Sequence, residues 1–305
     1  MTSNHTRGIY LALVAAFISG VAIFVNKFAV GIITPPLVFT ATKNTAVGLL
    51  ILGLLLLTRK WKEVKNLSRR ESLYLILIGI VGGSIPFYLF FTGLSEVSAT
   101  SSALIHKTLV FWVAILAVVF LKEKLSNWQI LAVMLLFGSN FIIGGFQGFA
   151  FSKGELLILI ATILWAIENI LAKKILPSVD PDIVIAARMG FGSLILLSTA
   201  VVTEPTALGK ILVLTPSQWF WMILTAATLL GYVMSWYRAL KLAPAITVAS
   251  VLVASTIVTN ILSAVFITRV WTLEMAFQSG LILVGLLIFY FAAKRLKTTA
   301  KIATV

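Results

Sequence analysis

Ten runs of about 20 mostly apolar residues recur along this chain, near 8–30, 36–57, 72–94, 98–120, 126–145, 154–176, 182–203, 218–240, 245–267 and 273–293. A run of that length is what one helix needs to cross a hydrocarbon core about 30 Å thick. Ten of them leave little chain for anything else. With 60% hydrophobic and 11% charged residues over 305 positions, and a mean hydropathy of +1.07, a soluble fold would lack polar residues to cover its surface. The fold class that follows is an all-α integral membrane protein of ten transmembrane helices.

The net charge of +14 is not the footprint of a nucleic-acid binder, because the basic residues fall in short clusters between the apolar runs. That placement sets orientation. One side of the membrane collects Arg7, the 59–70 cluster, Lys122, Lys124, Lys173, Lys174, Arg238, Lys241 and the basic residues from Lys294 to Lys301, against Lys153, Lys210 and Arg269 on the other. The bias predicts both termini in the cytoplasm of a cell that holds the protein in its plasma (inner) membrane. The first run outlasts a signal-peptide h-region of about 7–15 residues and shows no clear cleavage site, so it reads as a retained first span. There are no cysteines, which excludes disulfides and thiol-based metal or redox motifs.

Helix starts are marked locally. Ser68 with Glu71, Ser126 with Gln129 and Ser152 with Glu155 have capping-box spacing, and Thr34-Pro35 and Asp180-Pro181 pair an N-cap with a proline at the first helical position. These roles absorb Glu71, Glu155 and Asp180.

Residues 89–120 align without a gap to 235–266, and the same offset of 146 pairs Gly8 with Gly154, Lys27 with Lys173 and Pro35 with Pro181. The chain therefore divides into five-span halves, 1–150 and 151–305. An odd span number makes the second half enter from the opposite face, giving inverted repeats, an architecture suited to alternating access around a central site.

Charged residues deep in the runs are the candidate site. His106 and Lys107 lie roughly 12–14 Å into span four, close to mid-bilayer. A charged Lys there costs roughly 2.5–3.5 kcal/mol unless it meets water or an opposite charge. Its expected partner is Glu168 on span six, which is followed by Asn169 and preceded one turn earlier by Trp165. Lys43 and Arg188 lie about six residues into spans two and seven, where they either snorkel or draw anions to the two entrances; Lys27 reads as a snorkelling residue. Pro86 after Gly82-Gly83 interrupts span three beside Tyr88, and Tyr232 stands on span eight. Trp219, Trp221, Trp236 and Trp271 read as an interfacial belt.

The stretch GLSEVSATSSALIHKTLVFWVAILAVVFLKEKLSNWQILAVMLLFGSNFI resembles the signature of the drug/metabolite transporter superfamily, EamA type, with the acidic turn at Glu123; ALKLAPAITVAS resembles the matching part of a second repeat. The resemblance covers essentially the whole chain. It implies a secondary transporter with a cavity lined by spans one, three, four, six, eight and nine. Val110 and Thr256 stand where that family often has proline, and Arg269 replaces the second acidic turn residue.

The deep charges sum to excess positive, which favours a small-molecule substrate carrying a carboxylate or phosphate, with an amino acid the leading expectation and export the expected direction. A titratable His106 or Glu168 suits proton coupling. The alternative is an exporter of cationic or lipophilic drugs, with Glu168 dominant. An enzyme is not expected: GxSxG, HExxH and phosphate-loop motifs are absent, no cofactor is implied, and His106 offers too few ligands for a metal. Nothing in the spans specifies an oligomer.

Overall fold

A computed structural model describes residues 3–32, 34–97, 99–142 and 152–302. The described residues are helical throughout the runs and contain no strand. The long helices are α1 (Ser3–Ile32), α2 (Pro36–Leu57), α3 (Arg69–Leu94), α4 (99–121), α5 (Asn127–Ile142), α6 (Lys153–Ile175), α7 (Pro181–Thr203), α8 (Pro216–Leu242), α9 (Ala245–Thr268) and α10 (Leu273–Ile302). Nine of these are long and apolar enough to cross a membrane among the described residues; α5 is shorter, and the remainder of the run expected at 126–145 lies outside them. Large apolar side chains such as Leu49, Leu56, Phe120, Phe220 and Phe291 stay exposed, as lipid-facing positions must.

The three capping boxes form as their spacing predicts, and Asp180 accepts from the Asp182 N–H. Thr34 does not cap: α2 begins one residue later, with Pro36 at the first helical position and Pro35 as an N-cap that has no side-chain acceptor to offer. A fourth box, Thr215 with Gln218, starts α8 earlier than the apolar pattern suggests.

Three helices are broken where chemistry requires it. In α3 a π-helical turn occupies Gly79–Ser84, just before Pro86. Proline has no N–H to return to the carbonyl four residues back, which frees the Gly82 oxygen. In α4 the break is at Thr108, whose hydroxyl donates to the Ile105 carbonyl at 2.6 Å. In α9 it is at Val253–Ala254, the corresponding offset of 146, although neither helix has the proline of the resembling family.

Close approach is achieved through glycine. Gly83 of α3 lies against the Arg188 carbonyl and Gly192 of α7, leaving no room for a side chain at either glycine. A Cβ on Gly8, at the start of α1, would meet Leu242 and Ala243; one on Gly154, at the start of α6, would meet Glu96 and Val97. Each of these positions is the other's counterpart at an offset of 146.

Candidate functional site

The centre of the bundle is organised by α6. Ala166, Glu168, Asn169 and Ile170 are buried on a helix that runs against α3, α4 and α8. Glu168, 2% exposed, accepts a hydrogen bond from the Tyr237 hydroxyl of α8. Asn169 accepts from Trp236 Nε1 at 2.8 Å and donates to the Trp165 carbonyl at 2.9 Å. Trp165 donates its indole N–H to Gly82 O at 3.1 Å, the carbonyl that Pro86 left free. The interruption in α3 is therefore an acceptor for α6.

Aromatic rings line this centre. Trp165 meets Phe87, Phe90 and His106 with ring centroids 5.4, 5.5 and 5.0 Å apart, and Phe87 stacks on Phe91 at 6.4 Å. His106 also packs on Phe90 at 5.3 Å, and its Nδ1 is buried with no hydrogen-bond partner among the described residues. Tyr232 stacks on Trp236 at 5.7 Å.

Cations surround the wall. Arg188, 6% exposed, lies with its Cζ 5.6 Å from the Phe87 ring centroid and 6.0 Å from that of Tyr237. A Cβ on Gly82 would sit 3.2 Å from Arg188 Nε and also touch Glu168, so guanidinium and carboxylate flank one glycine. Lys43, 2% exposed, donates to Asn26 Oδ1 of α1 at 3.2 Å and lies 4.7 and 5.3 Å from the Phe39 and Phe91 ring centroids.

The structure brings together His106, Trp165, Glu168, Asn169, Tyr232, Lys43 and Arg188. It does not join Lys107 to Glu168: no carboxylate lies within 4.0 Å of Lys107 among the described residues. Adjacent helical residues point about 100° apart, so seating His106 against Trp165 turns Lys107 aside, while Tyr237 takes the Glu168 oxygen. Lys43 and Arg188 are buried side chains instead of charges displayed at helix ends. Tyr88 is 45% exposed, one residue round from buried Phe87. Trp236 is no belt residue; it is buried on Asn169, and with Tyr237 it is what sequence reasoning missed. Lys27 falls among the side chains the structure does not describe. No group of three or more potential metal ligands occurs among the described residues.

At one end of the bundle the contacts are ionic. Lys60 pairs with Asp180 at 2.9 Å and Asp182 at 2.7 Å, and Asp182 takes Arg238 at 2.5 Å. Burial works against the Lys60 ammonium, but hydrogen bonds from it to Asp182 and Asp180 outweigh that and raise its pKa above 10.5. Asp180 is also partly desolvated, yet its bond to Lys60 lowers its pKa below 3.8. Nearby, Glu123 accepts from the N–H groups of Ala245 and Ile246 at 2.8 and 3.2 Å, anchoring the start of α9, and Lys173 donates to the carbonyls of Leu240 and Ala243, both at 2.6 Å. The opposite end offers Lys153 with Glu96 at 3.6 Å, on an exposed surface.

Long apolar helices packed around a buried charged centre, with polar contacts concentrated at one end, define a multi-pass membrane protein. The EamA-like transporter pattern matches this chain twice, at residues 6–145 and 152–291. The chain belongs to the EamA-like transporter family. It is 27% identical over 289 residues to an uncharacterized transporter of Archaeoglobus fulgidus, covering 92% of this chain and 98% of that one. It is 25% identical over 211 residues to the uncharacterized transporter YyaM of Bacillus subtilis, covering 67% and 68%. A solved crystal structure with 14% identity superposes with a TM-score of 0.77 over 95% of this chain and 99% of its own, a likeness of fold.

Proposed function

We propose that this transporter is a secondary active carrier that moves a small organic metabolite, an amino acid or another carboxylate-bearing solute, out of the cell by alternating access. In this reading ten spans form two inverted repeats, 1–150 and 151–305. Both termini are cytoplasmic and the protein resides in the plasma (inner) membrane. The matched surroundings of Gly8 and Gly154, and helix breaks an offset of 146 apart, support the repeat. The excess of Lys and Arg at the Lys60 end supports the orientation.

The observation that carries the substrate reading is Glu168, a buried carboxylate among more cations than it can neutralise, on a wall built by helices from both halves. A zwitterion matches that pattern: its ammonium has Glu168 and its carboxylate has Lys43, Lys107 or Arg188. Asn169, Trp165, His106 and Tyr232 shape the pocket. Glu168 and His106 are the groups through which a proton would be exchanged.

Proteoliposomes test this directly. Counterflow of labelled amino acids should be saturable in the wild type. It should fall at least about tenfold in Glu168→Gln, the loss expected when a charged hydrogen bond worth about 1.5–3 kcal/mol goes. The competing reading, an exporter of lipophilic cations, draws on the same carboxylate among aromatic rings. It takes the lead if cationic dyes are carried and amino acids are not.

A further inference from the structure

Lys43 and Arg188 do not behave like the other basic residues of the chain. Both are buried, on neighbouring helices, with no carboxylate within 4.0 Å of either among the described residues. Lys43 has three donors and one acceptor, Asn26. Arg188 has five donors; among the described residues its Nε has no hydrogen-bond partner, and a terminal nitrogen makes only a long 3.9 Å contact to Met189 Sδ. Phenyl rings soften the burial, contributing about 0.5–2 kcal/mol per cation–π contact, and Glu168 across Gly82 offsets part of the Arg188 charge, but the open donors of both cations remain. The two cations address the two ends of one stack, Lys43 over Phe91 and Arg188 over Phe87. Asn44, next to Lys43, is fully buried with both amide atoms unpartnered among the described residues, as is Thr40 Oγ1 one turn earlier. Buried polar groups are otherwise satisfied nearly everywhere in proteins.

We infer that Lys43 and Arg188 form one anion subsite on the Phe87–Phe91 stack, and that its occupant is a carboxylate attached to an apolar body. The carboxylate oxygens take the donors that the protein leaves open, and the aromatic wall running from Phe91 through Phe87 to Trp165 and His106 receives the apolar body. Glu168 lies beside Arg188 at Gly82 and already accepts from Tyr237, so an ammonium on the same solute is optional and the carboxylate is not. A free amine of the same shape meets two cations and gains nothing there. This subsite rests on the reading that the aromatic centre is where substrate binds, but binding and transport are separable.

The test uses three probes with one skeleton: leucine, isocaproate, which lacks the ammonium, and isoamylamine, which lacks the carboxylate. Each is titrated to about 10 mM against the purified full-length chain by thermal shift and calorimetry, sufficient to see a Kd on the order of 1 mM. Leucine and isocaproate should bind the wild type and isoamylamine should not. Lys43→Gln should weaken isocaproate at least about tenfold, while Lys43→Arg stays within about threefold, a rescue that packing damage would not give. Arg188→Lys should weaken it as well, because the Nε donor is lost. The subsite is overturned if neither carboxylate binds the wild type, if isoamylamine binds equally well, or if a Lys43→Gln protein with a wild-type melt binds isocaproate unchanged. Carboxylate binding that follows this pattern without counterflow would leave the subsite standing and remove the transport reading.

Discussion

Trp236 illustrates what a single side chain contributes here. Its indole donates to Asn169 Oδ1 in a buried setting, while the Asn169 amide nitrogen already serves the Trp165 carbonyl. Trp236→Phe therefore keeps an aromatic ring but strands an acceptor, at a cost of about 1–3 kcal/mol. The variant should melt several degrees lower than wild type in detergent. Trp219→Phe, on an exposed helix start, should not. Equal melts for the two would show the Asn169 contact to be energetically idle. Charged and amide groups in an apolar run are legible from sequence because they are costly there, and so Glu168, Asn169, Lys43 and Arg188 stood out. Trp236 and Tyr237 did not. An aromatic residue is at home both at the lipid headgroups and in a packed centre, and only its partner distinguishes the two. The expected Lys107–Glu168 pair failed for a related reason. Depth can be counted along a helix, but direction depends on which neighbour claims the adjacent residue, and Trp165 claimed His106.

Among the elements, α3 and α9 are each held by a contact that compensates for a defect or an end. Pro86→Ala would restore an N–H able to reach Gly82 O and compete with the Trp165 indole for it. Removing a proline usually favours a regular helix. Here the π turn should relax and substrate binding should weaken, by roughly three- to tenfold if the Trp165 bond is worth about 1 kcal/mol. Calorimetry with the carboxylate probes measures it, and undiminished affinity would mean the turn does not shape the site. Glu123 acts on α9 as a distant N-cap, with a carboxylate on the positive end of the helix. Glu123→Ala should cost about 0.5–2 kcal/mol of stability, visible as a lower melt, whereas Glu63→Ala on the exposed 61–64 turn should cost nothing measurable. Helix starts were readable because a capping box is a local, three-residue device, and all three proposed boxes are formed. The breaks in α4 and α9 were not, because Thr108 and Val253–Ala254 carry no proline or glycine. The broken form is set by packing against α6 and α1.

At the scale of the whole molecule, the two ends of the bundle are unequal. The Lys60 end is joined by Lys60, Asp180, Asp182 and Arg238 and reinforced by Glu123 and Lys173; among the described residues the other end has one exposed pair, Lys153 with Glu96. On the proposed alternating-access reading, a carrier latched in this way rests with the Lys60 end closed. Asp182 is the hub, because it meets both Lys60 and Arg238, so Asp182→Asn should loosen that end more than any other single change. Partly exposed ion pairs contribute about 0.2–1 kcal/mol each, and losing two shifts an opening equilibrium by about two- to thirtyfold. The chain has no cysteine, so a single Val179→Cys, at a buried position beside Lys241, reports opening cleanly. Its maleimide labelling in detergent should accelerate within that range when Asp182→Asn is added, and should not respond to Glu96→Gln. The pH dependence has a defined sign. Asp180 has a depressed pKa, so its contribution is complete above 3.8 and fades as acid takes the pH through the lower folded value. Lys60 has a raised pKa, so its share is complete below 10.5 and fades as the pH rises through the higher folded value. Labelling of the latched form, corrected for the thiolate fraction, should therefore stay slow from about pH 5 to 9. Labelling that is already fast at neutral pH, and unchanged by Asp182→Asn, would mean that these four residues pair on the surface without holding the end shut.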